Sequence, residues 1–142
     1  MVAMKTRVPR QSRRGIAIIE MALLLPLLLL VLMGILEYGW MFWKNQDINN
    51  AAREGARVGI REGATNSDVT DRVDQIMDDR GLGSSGYTVT ITPADIFIAD
   101  PGDIVTVEVT VPYANIVLTG APFLPTPDNI GGETSMSKEG PQ

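Results

Sequence analysis

Ile16-Ala17-Ile18-Ile19-Glu20-Met21-Ala22-Leu23-Leu24-Leu25-Pro26-Leu27-Leu28-Leu29-Leu30-Val31-Leu32-Met33-Gly34-Ile35-Leu36 is an apolar stretch of 21 residues with one ionisable side chain, Glu20. Its apolar residues surround the helix axis completely, and at ~1.5 Å per residue it spans roughly 30 Å, the thickness of a bilayer's hydrocarbon core. A buried helix of a soluble core would have the same length. The flanking residues favour the membrane: Tyr38, Trp40, Phe42, Trp43 and Lys44 form the aromatic and cationic collar expected at a membrane–water interface. A transmembrane helix is therefore assigned to residues 16–43.

On the other side of the span, Lys5, Arg7, Arg10, Arg13 and Arg14 precede residue 15 with no acid among them. Residues 1–15 thus form a basic leader, and positive charge before a first span predicts a cytoplasmic N-terminus with residues 44–142 outside the cytoplasm. A cleaved secretory signal peptide also begins with cations and a leucine-rich run. Here the run is too long, no small-x-small site succeeds it, and it leaves through bulky aromatics, so cleavage after the span is not expected.

The 142 residues leave space for one small domain beside this anchor. Cysteine and histidine are both absent, which removes disulfides, thiolate nucleophiles, zinc finger-type sites and imidazole bases. After Gly15 the chain carries seven basic and seventeen acidic residues, and an acidic body argues against nucleic-acid binding.

Two residues inside the span break its pattern. Glu20 places a carboxylate five positions into the apolar segment, where an acid costs up to roughly 3 kcal/mol at mid-helix and less near the edge. That points to a functional group with a partner, the alternative being an interfacial carboxylate within reach of headgroups and Arg13 or Arg14. Pro26 removes one backbone hydrogen bond and permits a kink.

The run Arg13-Arg14-Gly15-Ile16-Ala17-Ile18-Ile19-Glu20 resembles a class III prepilin-like processing site: a basic leader, a glycine, and a glutamate five residues beyond the scissile bond. Met21 stands where that pattern usually has an aromatic. The span with Glu37-Tyr38-Gly39 after it, and then Asn50-Ala51-Ala52-Arg53-Glu54-Gly55-Ala56-Arg57, resembles the signature of the TadE-like pseudopilins of tight-adherence (Tad/Flp) pilus systems. The resemblance covers about residues 13–60. It implies processing by a prepilin peptidase at Gly15 and Ile16, with Glu20 part of the recognised site. Glycine suits that position because it lets a protease approach the backbone closely. Cleavage would remove all five leader cations and give Ile16 a free ammonium. Pilin likeness implies that Glu20 then pairs with the ammonium of a neighbouring subunit.

Lys44 to about residue 62 extends the helix, placing Ile48, Ala51, Ala52, Gly55, Val58 and Gly59 on one stripe of mostly small residues. Such a stripe suits close packing on another helix or on the domain's own sheet. Arg53, Arg57 and Arg61 recur every four residues; Arg53 and Arg57 are candidates for subunit contacts, with a solvated face carrying local ion pairs as the alternative. Gly63 to Asn66 breaks the helix. Ser67 is the candidate cap of a second helix over about 68–80, with Val69, Val73, Ile76 and Met77 on its apolar side and Gly81 as its stop. Asp68, Asp71, Asp74, Asp78 and Asp79 spread over exposed faces and do not form a calcium loop.

From about Tyr87 the period changes to two. Tyr87, Val89 and Ile91 alternate with threonines, and so do Val105, Val107, Val109 and Val111, which predicts half-buried strands. Asp100-Pro101-Gly102-Asp103 is a turn signal, expected to join a segment near Ile96 to Ala99 to the strand from Ile104. Prolines 112, 122, 125 and 127 make Tyr113 to Ile130 mostly loop, with a helical turn near Asn115 to Leu118, and a last edge strand covers Glu133 to Lys138.

The expected fold class is α+β: a long N-terminal transmembrane helix continuing into a small pilin-like domain with a short helix and a three- or four-stranded antiparallel sheet. No phosphate loop, Ser/His/Asp set or metal-ligand spacing occurs, so no enzyme and no cofactor is expected. The resemblance implies a minor pilin at the bacterial inner membrane that takes part in Tad pilus assembly for adhesion or secretion. Its partners would be membrane lipid, other pilin subunits, the Tad machinery and the peptidase, with no nucleic acid and no small-molecule substrate. The competing reading is a permanently anchored bitopic protein whose periplasmic domain is an interaction module.

Overall fold

A computed structural model describes residues 12–140, with side chains from Ile16 onward; the leader cations Lys5, Arg7 and Arg10 lie outside the described residues. The elements are α1 (Ser12–Gly59), α2 (Asn66–Asp79), β1 (Thr88–Thr92), β2 (Ile104–Pro112), a 3-10 turn (Tyr113–Asn115) and β3 (Asn129–Ser137). The chain divides into two units, the first ending at Leu36 and the second running from Glu37 to its end.

In the first unit, α1 passes through Pro26 without interruption. The residues Ile16 to Leu36 leave their large apolar side chains uncovered, with Leu23 74% exposed and Ile35 65% exposed. α1 is the one helix among the described residues that is long and apolar enough to cross a membrane. Exposure of so many leucines in water would be untenable, and a hydrocarbon surrounding removes the penalty. The described residues thus carry one N-terminal apolar helix of the kind that a single-pass membrane protein has.

The second unit is α+β, as its periodicity predicts, with one antiparallel sheet in the order β1-β2-β3. Val89 pairs with Val109 on one side of β2, and Val107 with Thr134 on the other. Val105, Val107, Val109 and Val111 all point to one face and are fully buried. Burial of each contributes roughly 1.5–3 kcal/mol.

The stripe of small residues on α1 lies against the unit's own elements. Ile48, Ala51, Ala52 and Ala56 are fully buried. A Cβ added at Gly55 would stand 2.7 Å from a Val73 methyl of α2 and 3.4 Å from Val107 of β2. α1 therefore occupies the angle between α2 and the sheet, at a separation that only glycine and alanine allow. Nearer the start of the unit, Gly132 of β3 comes so close to α1 that a Cβ there would meet the Asn49 Cα at 2.6 Å.

Five features differ from the sequence expectation. α1 ends at Gly59, and not near residue 62, because a turn closed by Arg61 N to Val58 O replaces the helical pattern. α2 starts at Asn66, with Thr65 and not Ser67 as its cap. Thr65 and Asp68 form a reciprocal capping box: the Asp68 carboxylate accepts from the Thr65 amide at 2.8 Å, and the Thr65 hydroxyl accepts from the Asp68 amide at 3.4 Å. The short turn after β2 covers Tyr113–Asn115, upstream of the expected position.

The fourth difference is in the sheet. The segment Ile96 to Ala99 is not a strand, and β2 pairs with β1 instead. The Ile96 backbone is used elsewhere: its amide donates to the Asn66 side chain at 3.1 Å, and its carbonyl accepts from the Lys138 ammonium. The Asp100–Asp103 turn does form, closed by Asp103 N to Asp100 O at 3.0 Å. β3 is longer than expected, starting at Asn129.

Candidate functional site

Of the residues singled out by sequence, Gly15 lies within α1, Ile16 is 55% exposed, and Glu20 is exposed on the flank of the apolar helix. A carboxylate at that place is open to a partner in the membrane plane. Arg53 and Arg57 remain exposed on α1 in the second unit. Arg57 lies 3.8 Å from Glu54, whose other oxygen is 3.4 Å from Arg72 of α2. Ion pairs this exposed contribute up to about 1 kcal/mol each, so these arginines are available for other contacts at little cost.

A different carboxylate forms the most elaborate polar site among the described residues. Glu37, the first residue after the apolar stretch, is 2% exposed. Its Oε1 accepts from the Tyr113 hydroxyl at 2.6 Å and the Leu118 amide at 3.3 Å; its Oε2 accepts from the Thr119 amide at 2.8 Å and the Thr119 hydroxyl at 2.6 Å. Four donors satisfy the carboxylate's acceptor capacity, which is what allows it to be buried.

All four donors come from one segment, the connection from Tyr113 to Asp128 between β2 and β3. Its ends are drawn together by Tyr113 N to Asp128 O at 2.9 Å. The same helical turn of α1 fastens it twice more: Trp40 Nε1 donates to Ile116 O and the Tyr38 hydroxyl to Pro125 O, both at 2.7 Å. An open cleft of about 370 Å³ remains beside Glu37, lined by Ala114, Val117, Ala121, Leu124 and Pro127 among others. With both oxygens engaged, Glu37 acts as a latch for the loop and has no free lone pair for proton abstraction.

Lys44 completes this end of the helix. Sequence reading assigned it to the interfacial collar, but it is buried, its ammonium lies 5.0 Å from the Trp40 ring centre, and it donates to Arg80 O at 3.1 Å. Asp47 holds the Arg80 guanidinium at 3.3 Å. α2's C-terminal carbonyl thus receives a cation, as its dipole favours. Phe42 and Trp43 remain exposed, whereas Tyr38 and Trp40 use their polar atoms on the loop.

Sequence reasoning did not find the Glu37 latch. The available signal was a carboxylate directly after an apolar span, with a loop free of charge far downstream.

Residues 15–57 match the family model described as TadE-like protein. The chain carries a TadE-like segment. The match takes in Gly15, Ile16, Glu20, Glu37, Arg53 and Arg57, and stops short of the loop that latches onto Glu37. No curated protein and no solved structure matches the chain. The TadE-like match thus falls within α1 and does not reach α2 or the sheet.

Proposed function

We propose that this TadE-like protein is a minor pilin or pseudopilin that enters, primes or assists a tight-adherence (Tad/Flp) pilus and so supports adhesion or secretion. The observation that carries the reading is the TadE-like match, which begins at Gly15 and includes Ile16 and Glu20. Five cations ahead of the span orient the N-terminus to the cytoplasm of a bacterial cell and the second unit to the outside. A prepilin peptidase would cut after Gly15, and Glu20, exposed on the helix flank, would then pair with the Ile16 ammonium of another subunit. That pairing offsets the cost of a carboxylate in lipid. Arg53 and Arg57 are offered for contacts between the second units of adjacent subunits. The role is structural, with no catalysis and no cofactor.

The test is site-specific photo-crosslinking from the position of Arg57 in cells that make the pilus. The reading expects adducts with other pilins that disappear in Glu20→Gln. Adducts that persist unchanged in Glu20→Gln contradict the pairing. Absence of pilin adducts from the wild type leaves the permanently anchored bitopic protein as the better description.

A further inference from the structure

We infer that the loop from Tyr113 to Asp128 is a second membrane contact, its apolar side chains seated on the lipid surface of the bilayer that α1 crosses. Three observations meet here. The loop exposes Val117, Leu118 and Phe123, the last at 58%. From Tyr113 to Pro127 it contains no charged residue, although a fifth of the chain is charged. Its Leu118 and Thr119 amides also bond to Glu37, which in the chain directly follows the last apolar position of the span.

Depth separates this patch from the exposed pair Phe97 and Ile98. Those side chains are 61% and 75% exposed, but they adjoin Ile96, which packs beside Gly59. Along α1, Gly59 is about 33 Å from Glu37 at ~1.5 Å per residue. Of the two, the Tyr113–Asp128 loop alone combines apolar exposure with the level of the lipid boundary. An uncharged, proline-rich loop presenting a phenylalanine, a leucine and a valine suits the headgroup and upper acyl region, where burying apolar side chains is favourable and no charge must be desolvated. The Glu37 latch holds the loop there. The inference requires that α1 spans a bilayer and does not depend on the pilin role.

The chain lacks cysteine, so single-cysteine variants can be labelled cleanly. Full-length Leu118→Cys, Phe123→Cys and Ile98→Cys, each carrying an environment-sensitive fluorophore, are reconstituted in vesicles of phosphatidylethanolamine and phosphatidylglycerol. All three positions are exposed, and unchanged thermal unfolding verifies the fold of each. The expected result is strong quenching at 118 and 123 by nitroxide-bearing lipid, with severalfold protection from aqueous iodide relative to 98. Equal iodide access at all three positions overturns the inference. So does protection at 118 and 123 without lipid quenching, which would mean that protein and not lipid covers the loop.

Discussion

Tyr113 donates a 2.6 Å hydrogen bond to Glu37 across 76 positions of sequence, joining the end of the central strand to the turn of α1 directly after the apolar span. Tyr113 is 1% exposed and Glu37 2%. The bond fastens the β2–β3 loop to the first residue of the second unit, the point at which the chain leaves its apolar stretch.

Removing the hydroxyl tests the energetics of that junction. Tyr113→Phe keeps the packing and takes one donor from a charged acceptor, which should destabilise the second unit by about 1.5–3 kcal/mol. Glu37→Leu deprives four donors of their acceptor, so it should cost more than Tyr113→Phe and should expose the loop to proteolysis near Leu118. Denaturant titration and limited proteolysis of the full chain in detergent measure both. A Glu37→Leu protein as stable and as protease-resistant as the wild type would mean that the latch holds nothing.

Glycines give predictions of opposite sign. Gly39 lies mid-helix with nothing within 4 Å of an added Cβ, so Gly39→Ala should stabilise by about 0.5–1 kcal/mol through helix propensity. Gly132→Ala would drive a methyl against the Asn49 backbone, and Gly55→Ala would press on Val73, each costing about 1–3 kcal/mol. Thermal unfolding should place Gly39→Ala above the wild type and the other two below it. A neutral Gly132→Ala would contradict the close approach of β3 to α1.

Alkaline stability should fall through two phenols. Burial raises Tyr113 above the ordinary value of 10.0, and its bond to Glu37 and that carboxylate's charge raise it further. Burial, the bond to Asp74 and the charges of Asp74 and Asp78 do the same for Tyr87. The folded state therefore keeps protons that the unfolded chain gives up. This contribution is complete below pH 10.0 and is lost as pH rises toward the folded-state values. Stability measured across that range should decline less steeply in Tyr87→Phe and Tyr113→Phe. Parallel declines in wild type and variants would exclude both tyrosines as the cause.

What the sequence revealed and what it hid divide along the distance between partners. The span was legible because 21 apolar residues have one physical solution, and the core faces of α1, α2 and β2 were legible because periodicity is local. The pairing partner of β2 was not, since alternating valines define a face and not a neighbour. Ile96 to Ala99 met the requirements of a strand until Asn66 and Lys138 claimed its backbone. Glu37 was hidden for the same reason: its donors lie 76 to 82 residues away, in a loop whose prolines suggested only irregularity. Thr65 could have been found, since Thr65-x-x-Asp68 is a near relative of the capping-box pattern.

Orientation is open to a simple check. A periplasm-active reporter fused after Gln142 should be active, and a cytoplasm-active reporter at the same position silent, as five cations ahead of the span require. The reverse pattern would overturn the topology.

The central claim is that the chain matures as a pilin, and the intact mass of the protein extracted from membranes of cells with a Tad system tests it most directly. The account predicts a chain beginning at Ile16, without residues 1–15, in the wild type, and a full-length chain when Gly15 is replaced by a bulky residue such as leucine. A wild-type mass that still includes the leader, identical in processing to Gly15→Leu, would contradict it.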